Sequence, residues 1–161
     1  MEIKDKVVVI TGAAQGLGKN FAMDLAKRKA RLALADINVE LLEEVRKACE
    51  QAGTETRAYE LNVAEEKAVE DFFNQVVQDF GTVDGLINNA GITRDGLIAR
   101  SKDGEIRKMS LANWQAVIDV NLTGSFLCGR EFLVKLLEQK KPGVCINISS
   151  LSRSGNMGQS N

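Results

Sequence analysis

Three glycines, Gly12, Gly16 and Gly18, follow a β-branched run and lead straight into a stretch with apolar residues three and four apart. A glycine-rich turn between a strand and a helix can hold a pyrophosphate. Gly12 permits the tight turn, Gly16 lets main chain approach the phosphates, Gly18 lets the helix pack close on the strand, and the helix N-terminus supplies amide donors and positive potential. The spacing is GxxxGxG, which differs from the GxGxxG of the usual dinucleotide fingerprint. Asp36 ends the next apolar run, where such a fold places the carboxylate that accepts from ribose hydroxyls and repels a 2′-phosphate. Gln15 and Ile37 are neutral, which favours NAD over NADP. Each feature alone has a plainer reading, a strand-to-helix turn and an exposed strand-end acid; the position of Asp36 relative to the glycines argues against it.

Composition narrows the chemistry further. The 161 residues contain no histidine, and the only tyrosine is Tyr59. Ser-His-Asp, Cys-His and His-metal chemistry are excluded, so proton transfer falls to a carboxylate, a lysine, a hydroxyl or water. Cys49, Cys128 and Cys145 are far apart in apolar surroundings, so they are expected as small buried hydrophobes, with neither a CxxC pair nor a metal site. With 21 Lys+Arg against 22 Asp+Glu, the net charge of -1 leaves no basic stripe for nucleic acid. The run at residues 7–10 is too short for a signal segment or a membrane span, and the expected location is the cytoplasm.

These side chains need a scaffold, and the hydrophobic period supplies one. Short β-branched runs alternate with helical stretches, the pattern of a parallel α/β sheet. Strands are expected at residues 6–11, 31–36, 54–61, 83–88 and 144–148. Helices are expected after residue 18, with Phe21, Ala22, Leu25 and Ala26 on one face, at 39–52 with Asn38 as cap and Gly53 as stop, and at 65–80 closed by Gly81. Two more lie near 111–120, capped by Ser110, and 122–140. The long connection at 92–109 carries Asp103-Gly104 between Leu97-Ile98 and Ile106, the signal of a surface hairpin. Residues 1–161 read as one domain.

Five ordered motifs then give a resemblance: TGAAQGLG at 11–18, LNV at 61–63, NNAGITRD at 88–95, DVNLTG at 119–124 and NISS at 147–150. The chain resembles the short-chain dehydrogenase/reductase family, and within it the 3-oxoacyl-[acyl-carrier-protein] reductase-like and glucose/alcohol dehydrogenase-like members. The resemblance implies a Rossmann-type doubly wound sheet in the order 3-2-1-4-5, here ending after its fifth strand. It implies that Gly12, Gln15, Gly16, Leu17 and Gly18 hold the pyrophosphate and nearby ribose, that Asp36 holds the adenosine ribose, and that Asn62 and Val63 meet the adenine. It further implies that Asn89, Ala90 and Gly91 line the cofactor. Asn121 resembles the asparagine that holds a helix kink and organises a water-mediated proton relay. Ser149 resembles the serine that polarises the substrate carbonyl, with Ser150 the alternative by one position. Without the family, the same residues read as a capped turn, a satisfied amide and a strand-end serine.

The activity implied is hydride transfer between nicotinamide and an alcohol or carbonyl substrate. The family's proton donor, the tyrosine of a YxxxK pair, falls at position 162, while the sequence given ends at Asn161. Residues 144–148, apolar on both faces, and the apolar helix at 122–140 both expect covering chain. The expectation is therefore the cofactor-binding part of an NAD(P)-dependent oxidoreductase, paired as a homodimer or homotetramer through the 122–140 helix. The other reading is a non-catalytic nucleotide-binding or dimerisation module.

Overall fold

A computed structural model of the chain describes residues 2–102 and 104–156. The main sheet is built from β1 (Val7–Thr11), β2 (Arg31–Asp36), β3 (Thr56–Glu60), β4 (Gly85–Asn88) and, after a two-stranded hairpin β5 (Ala99–Lys102) and β6 (Glu105–Lys108), β7 (Val144–Asn147). Its order is β3-β2-β1-β4-β7 and every pairing in it is parallel. The fifth strand of the sheet is β7 because the hairpin stands apart, so the order is the one expected.

Strand alternation divides the core. Val7, Val9, Ala33 and Ala35 point to one face, where they pack with Phe72, Phe73, Val76 of α3 (Glu66–Phe80) and Leu127, Phe132, Leu136 of α5 (Gly124–Glu138). Val8, Ile10, Leu32 and Leu34 point to the other, against Ala22 and Ala26 of α1 (Gly16–Lys27) and Leu42, Val45 and Cys49 of α2 (Val39–Gln51). Helices on both faces explain why β1 is buried along its whole length and carries no polar alternation. Asn38 caps α2 by accepting from the Leu41 amide, Ser110 caps α4 (Leu111–Ile118) by accepting from Asn113, and Gly81 ends α3 at φ 77°.

Three expectations are corrected. The helices expected near 111–120 and 122–140 are one continuous helical run, α4 passing through a π-helical turn at Asp119–Thr123 into α5. The inserted residue of such a turn widens the helix without breaking it. Strands β3 and β4 are shorter than expected, beginning at Thr56 and Gly85. Cys145 is exposed, whereas Cys49 and Cys128 are buried; burial pushes their thiols up to about 11 and about 12. The reason is that β7 is the outer strand of the sheet, with Val144 41% and Ile146 45% exposed.

At the opposite end of the sheet from the glycine turn, Asp84 ties three elements. Its Oδ2 accepts from the Val7 amide at 2.9 Å and its Oδ1 from Lys141 Nζ at 2.7 Å, with Lys6 Nζ at 3.8 Å. Among the described residues no helix is long and apolar enough to cross a membrane.

Candidate active site

The strand order reverses between β1 and β4, and ligands of open α/β sheets bind outside the carboxyl ends of strands at such a point. The loops leaving β1, β2 and β4 there form one hydrogen-bonded unit. The Ala14 amide donates to Asp36 Oδ2 and the Asn38 amide to Asp36 Oδ1, each at 3.0 Å. Asn89 Nδ2 donates to the carbonyls of Thr11 and Gly12 at 3.1 and 3.0 Å. In return the amides of Asn89 and Ala90 both donate to Thr11 Oγ1 at 3.1 Å.

The three glycines do different work. A side-chain carbon at Gly18 would sit 2.1 Å from the Gly12 carbonyl oxygen, and one at Gly12 would sit 2.8 Å from Ala90 Cα, so both positions are closed by main chain. Gly16 has φ +56° and faces open space, with nothing within 4 Å of a carbon placed there. Its neighbour Gln15, the N-cap of α1, supplies no side-chain acceptor to the first helical amides. Open space at a left-handed glycine, beside amides that lack a side-chain acceptor, fits a bound pyrophosphate. Leu17 is exposed beside it.

At the end of β2, Asp36 keeps acceptor capacity after its two amide contacts, because each carboxylate oxygen accepts more than one donor. Asn62 uses its side chain locally: Oδ1 accepts from the Ala64 amide at 3.1 Å and Nδ2 donates to Glu65 Oε1 at 2.9 Å. Val63 is buried at 6% exposure and packs where a Cβ on Gly124 would come within 2.6 Å of its Cγ2. Val63 thus fixes the start of α5 as well as the end of the β3 loop.

Beyond the β4 loop opens a cleft of about 540 Å³, lined by Asn89, Ala90, Gly91, Asn121 and Ser149 among others. Asn121 lies in the π turn and grips the connection after β4 with both ends of its amide: Oδ1 accepts from the Ile92 amide at 2.9 Å and Nδ2 donates to the Ile92 carbonyl at 3.0 Å. Its main-chain carbonyl accepts from Ser125 Oγ at 3.0 Å. The hydroxyl of Ser149 has no hydrogen-bond partner among the described residues, while that of Ser150 accepts from the Ser152 amide at 3.1 Å as the cap of a 3₁₀ turn. Of the two serines, Ser149 is the one whose hydroxyl is unengaged in the cleft.

Tyr59 is placed elsewhere. Its hydroxyl donates to Asp79 Oδ2 at 2.8 Å on the outer side of β3, and burial, reinforced by that carboxylate, holds its pKa well above the ordinary tyrosine value. A phenol so placed is a poor proton donor and lines no part of the cleft.

Sequence reasoning missed Thr11, whose hydroxyl joins the β1 and β4 loops. It also missed Asn88 as a side chain: buried at the end of β4, its Nδ2 donates to the Ser125 carbonyl at 3.1 Å and to Asn147 Oδ1 at 2.9 Å, while its Oδ1 has no partner among the described residues. A polar residue ending an otherwise apolar strand was the available signal in both cases.

Comparison with known proteins places this geometry in context. The profile of the short chain dehydrogenase family matches residues 6–161. A protein of Thermotoga maritima named 3-oxoacyl-[acyl-carrier-protein] reductase FabG is 36% identical over 162 residues, covering 100% of this chain and 62% of its own length. A Staphylococcus aureus protein of the same name is 37% identical over 158 residues, 97% of this chain and 61% of its own. The chain thus spans about 62% of the length of these curated relatives. Among solved structures, an NAD+-bound xylitol dehydrogenase superposes with a TM-score of 0.87 at 28% identity, over 99% of this chain and 58% of that one.

Proposed function

Since the chain belongs to the short-chain dehydrogenase family, we propose that it forms the dinucleotide-binding part of an NAD(P)-dependent oxidoreductase. The reaction is hydride transfer between nicotinamide and an alcohol or ketone, in the manner of a 3-oxoacyl reductase, with NAD preferred. The observation that carries this reading is the cradle at Gly16, which opens on the first amides of α1 beside Asp36. The dinucleotide supplies the hydride-exchanging carbon; this chain binds and orients it and lines the substrate cleft. Gly12, Gln15, Gly16, Leu17 and Gly18 hold the pyrophosphate, and Asp36 accepts from the adenosine ribose hydroxyls and disfavours a 2′-phosphate. Asn62 and Val63 meet the adenine, and Asn89, Ala90 and Gly91 line the cofactor toward the cleft.

In the cleft, the free Ser149 hydroxyl donates to the substrate carbonyl oxygen and polarises it toward hydride addition. Asn121 fixes the wall at Ile92 and helps to organise a water-mediated proton relay there. The proton itself comes from a group that these residues do not include, in the family a tyrosine beside a lysine. The apolar face of α5, with Phe126 62% and Leu137 77% exposed, and the outer strand β7 support pairing with a second copy and covering by further chain.

The test is NADH consumption with a ketone panel by the natural polypeptide that carries this chain, beside its Ser149→Ala variant. Turnover that falls at least about a hundredfold in the variant, with NADH affinity held, is the expected result. NADH binding without any turnover would support the non-catalytic module instead.

A further inference from the structure

The hairpin of β5 and β6 lies within the connection from β4 to α4 and belongs to no other sheet. Its antiparallel register sets Arg100 directly opposite Arg107. Residues so paired stand about 5 Å apart at Cβ on one face, and like charges there destabilise the pairing. Strand stability therefore does not explain the arrangement.

Both side chains line a second cavity, of about 500 Å³, together with Arg94, Lys108 and Asp95. Asp95 is the only acid among its lining residues, against Arg94, Arg100, Arg107 and Lys108. Glu105 takes one edge of Arg107 at 3.1 Å, whereas neither Arg100 nor Lys108 has an ion-pair partner among the described residues. This cavity shares Arg94 and Asp95 with the cleft that holds Ser149 and Asn121. A molecule reacting in the cleft can therefore extend one end into the basic cavity.

We propose that this cavity binds an oxyanion on the far end of the substrate, and so selects anionic over neutral alcohols or ketones; this rests on the oxidoreductase reading of the neighbouring cleft. Phosphate is favoured over carboxylate. Two facing guanidinium groups offer paired N–H donors in a fork, and a dianion uses both while a monocarboxylate fills one. The hairpin is solvent-exposed, so the affinity is modest and falls with added salt.

The experiment titrates inorganic phosphate, and acetate in parallel, into the NADH-saturated protein by calorimetry. Saturable phosphate binding, tighter than acetate, is expected. The double substitution Arg100→Gln/Arg107→Gln is expected to weaken it at least about tenfold with the NADH affinity unchanged. It removes a like-charge pair and gives up only the exposed Arg107–Glu105 contact, which contributes little to the hairpin. Lys4→Gln/Lys27→Gln removes equal charge elsewhere, and an equal loss there would reduce the effect to unspecific attraction and overturn the inference. Phosphate bound equally by both arginine forms, or less tightly than acetate, overturns it as well. Failure of NADH to bind would overturn the dinucleotide reading instead; phosphate is then titrated into the free chain, where the arginine variant still decides for or against the cavity.

Discussion

Replacing Gly16 and Gly18 separately by alanine distinguishes a glycine kept for a ligand from one kept for packing. At Gly16 the new methyl meets no protein atom within 4 Å, so its cost to the free fold is the left-handed φ of +56°, about 1–2 kcal/mol for a residue with a Cβ. In a domain of this size that lowers Tm by roughly 2–8 °C. The methyl occupies the space assigned to the pyrophosphate, and NADH affinity is expected to fall at least about tenfold more than that stability loss explains. At Gly18 the methyl would stand 2.1 Å from the Gly12 carbonyl, so the turn must shift by more than an ångström and lose the Asn89 contact to that same oxygen at 3.0 Å. There stability and binding should fall together, by about 1–3 kcal/mol or more in stability. Thermal melts with and without NADH, with calorimetric titration, separate the two. Unchanged NADH affinity in Gly16→Ala, with the melt lowered as expected, would refute the assignment of the cradle.

Asp36→Ala removes the acceptor of the Ala14 amide as well as the charge, so both dinucleotides should bind less well, but the NADH-to-NADPH affinity ratio should fall about tenfold or more; an unmoved ratio takes Asp36 out of the ribose site. Asp84 bears on acid stability. Burial pushes its pKa up, yet the Lys141 contact, the Val7 amide and the nearby lysine charges outweigh this, so the folded value lies below the ordinary 3.8. A depressed carboxyl adds stability that is present above the unfolded pKa and lost as pH falls through the folded one. Asp84→Asn should therefore cost about 1–3 kcal/mol at neutral pH, with the gap in urea midpoints closing below about pH 4; a gap independent of pH refutes the assignment. Asn121→Ala forfeits two hydrogen bonds to Ile92 and should cost about 1–3 kcal/mol, and it should slow turnover in the natural polypeptide while NADH affinity stays within about threefold; full activity would remove Asn121 from the cleft's machinery. Leu133→Glu, on the exposed face of α5, should convert a dimer to monomers by light scattering with the melt nearly unchanged; an unaltered mass rejects that face as the interface.

Much of this architecture is legible in the residues because burial on both faces leaves a simple trace. Val7 through Ile10 have no polar alternation, the helices that cover them show their period, and the caps Asn38 of α2 and Ser110 of α4 are plain in the residues. What escapes is whatever depends on neighbours distant in the chain. The π turn at Asp119–Thr123 adds one residue to a helix, which a period of 3.6 cannot register over five positions. Cys145 reads as buried because its strand is apolar, and is exposed because β7 closes the sheet on one side only. Asp36 is legible as a strand-end carboxylate placed to face the glycine turn, but its grip on the Ala14 amide is not, since that bond spans two loops. Arg100 and Arg107 are unremarkable surface residues until the hairpin register sets them face to face.

The central claim is that the loops after β1, β2 and β4 form one dinucleotide site. The most direct measurement is an NADH titration followed by main-chain amide resonances of the labelled chain. Saturating shifts at residues 12–18, 36–37 and 89–91, with the Tyr59–Asp79 pair undisturbed, are predicted. Saturation without shifts in the glycine turn, or shifts centred on Tyr59 and Asp79, would contradict it.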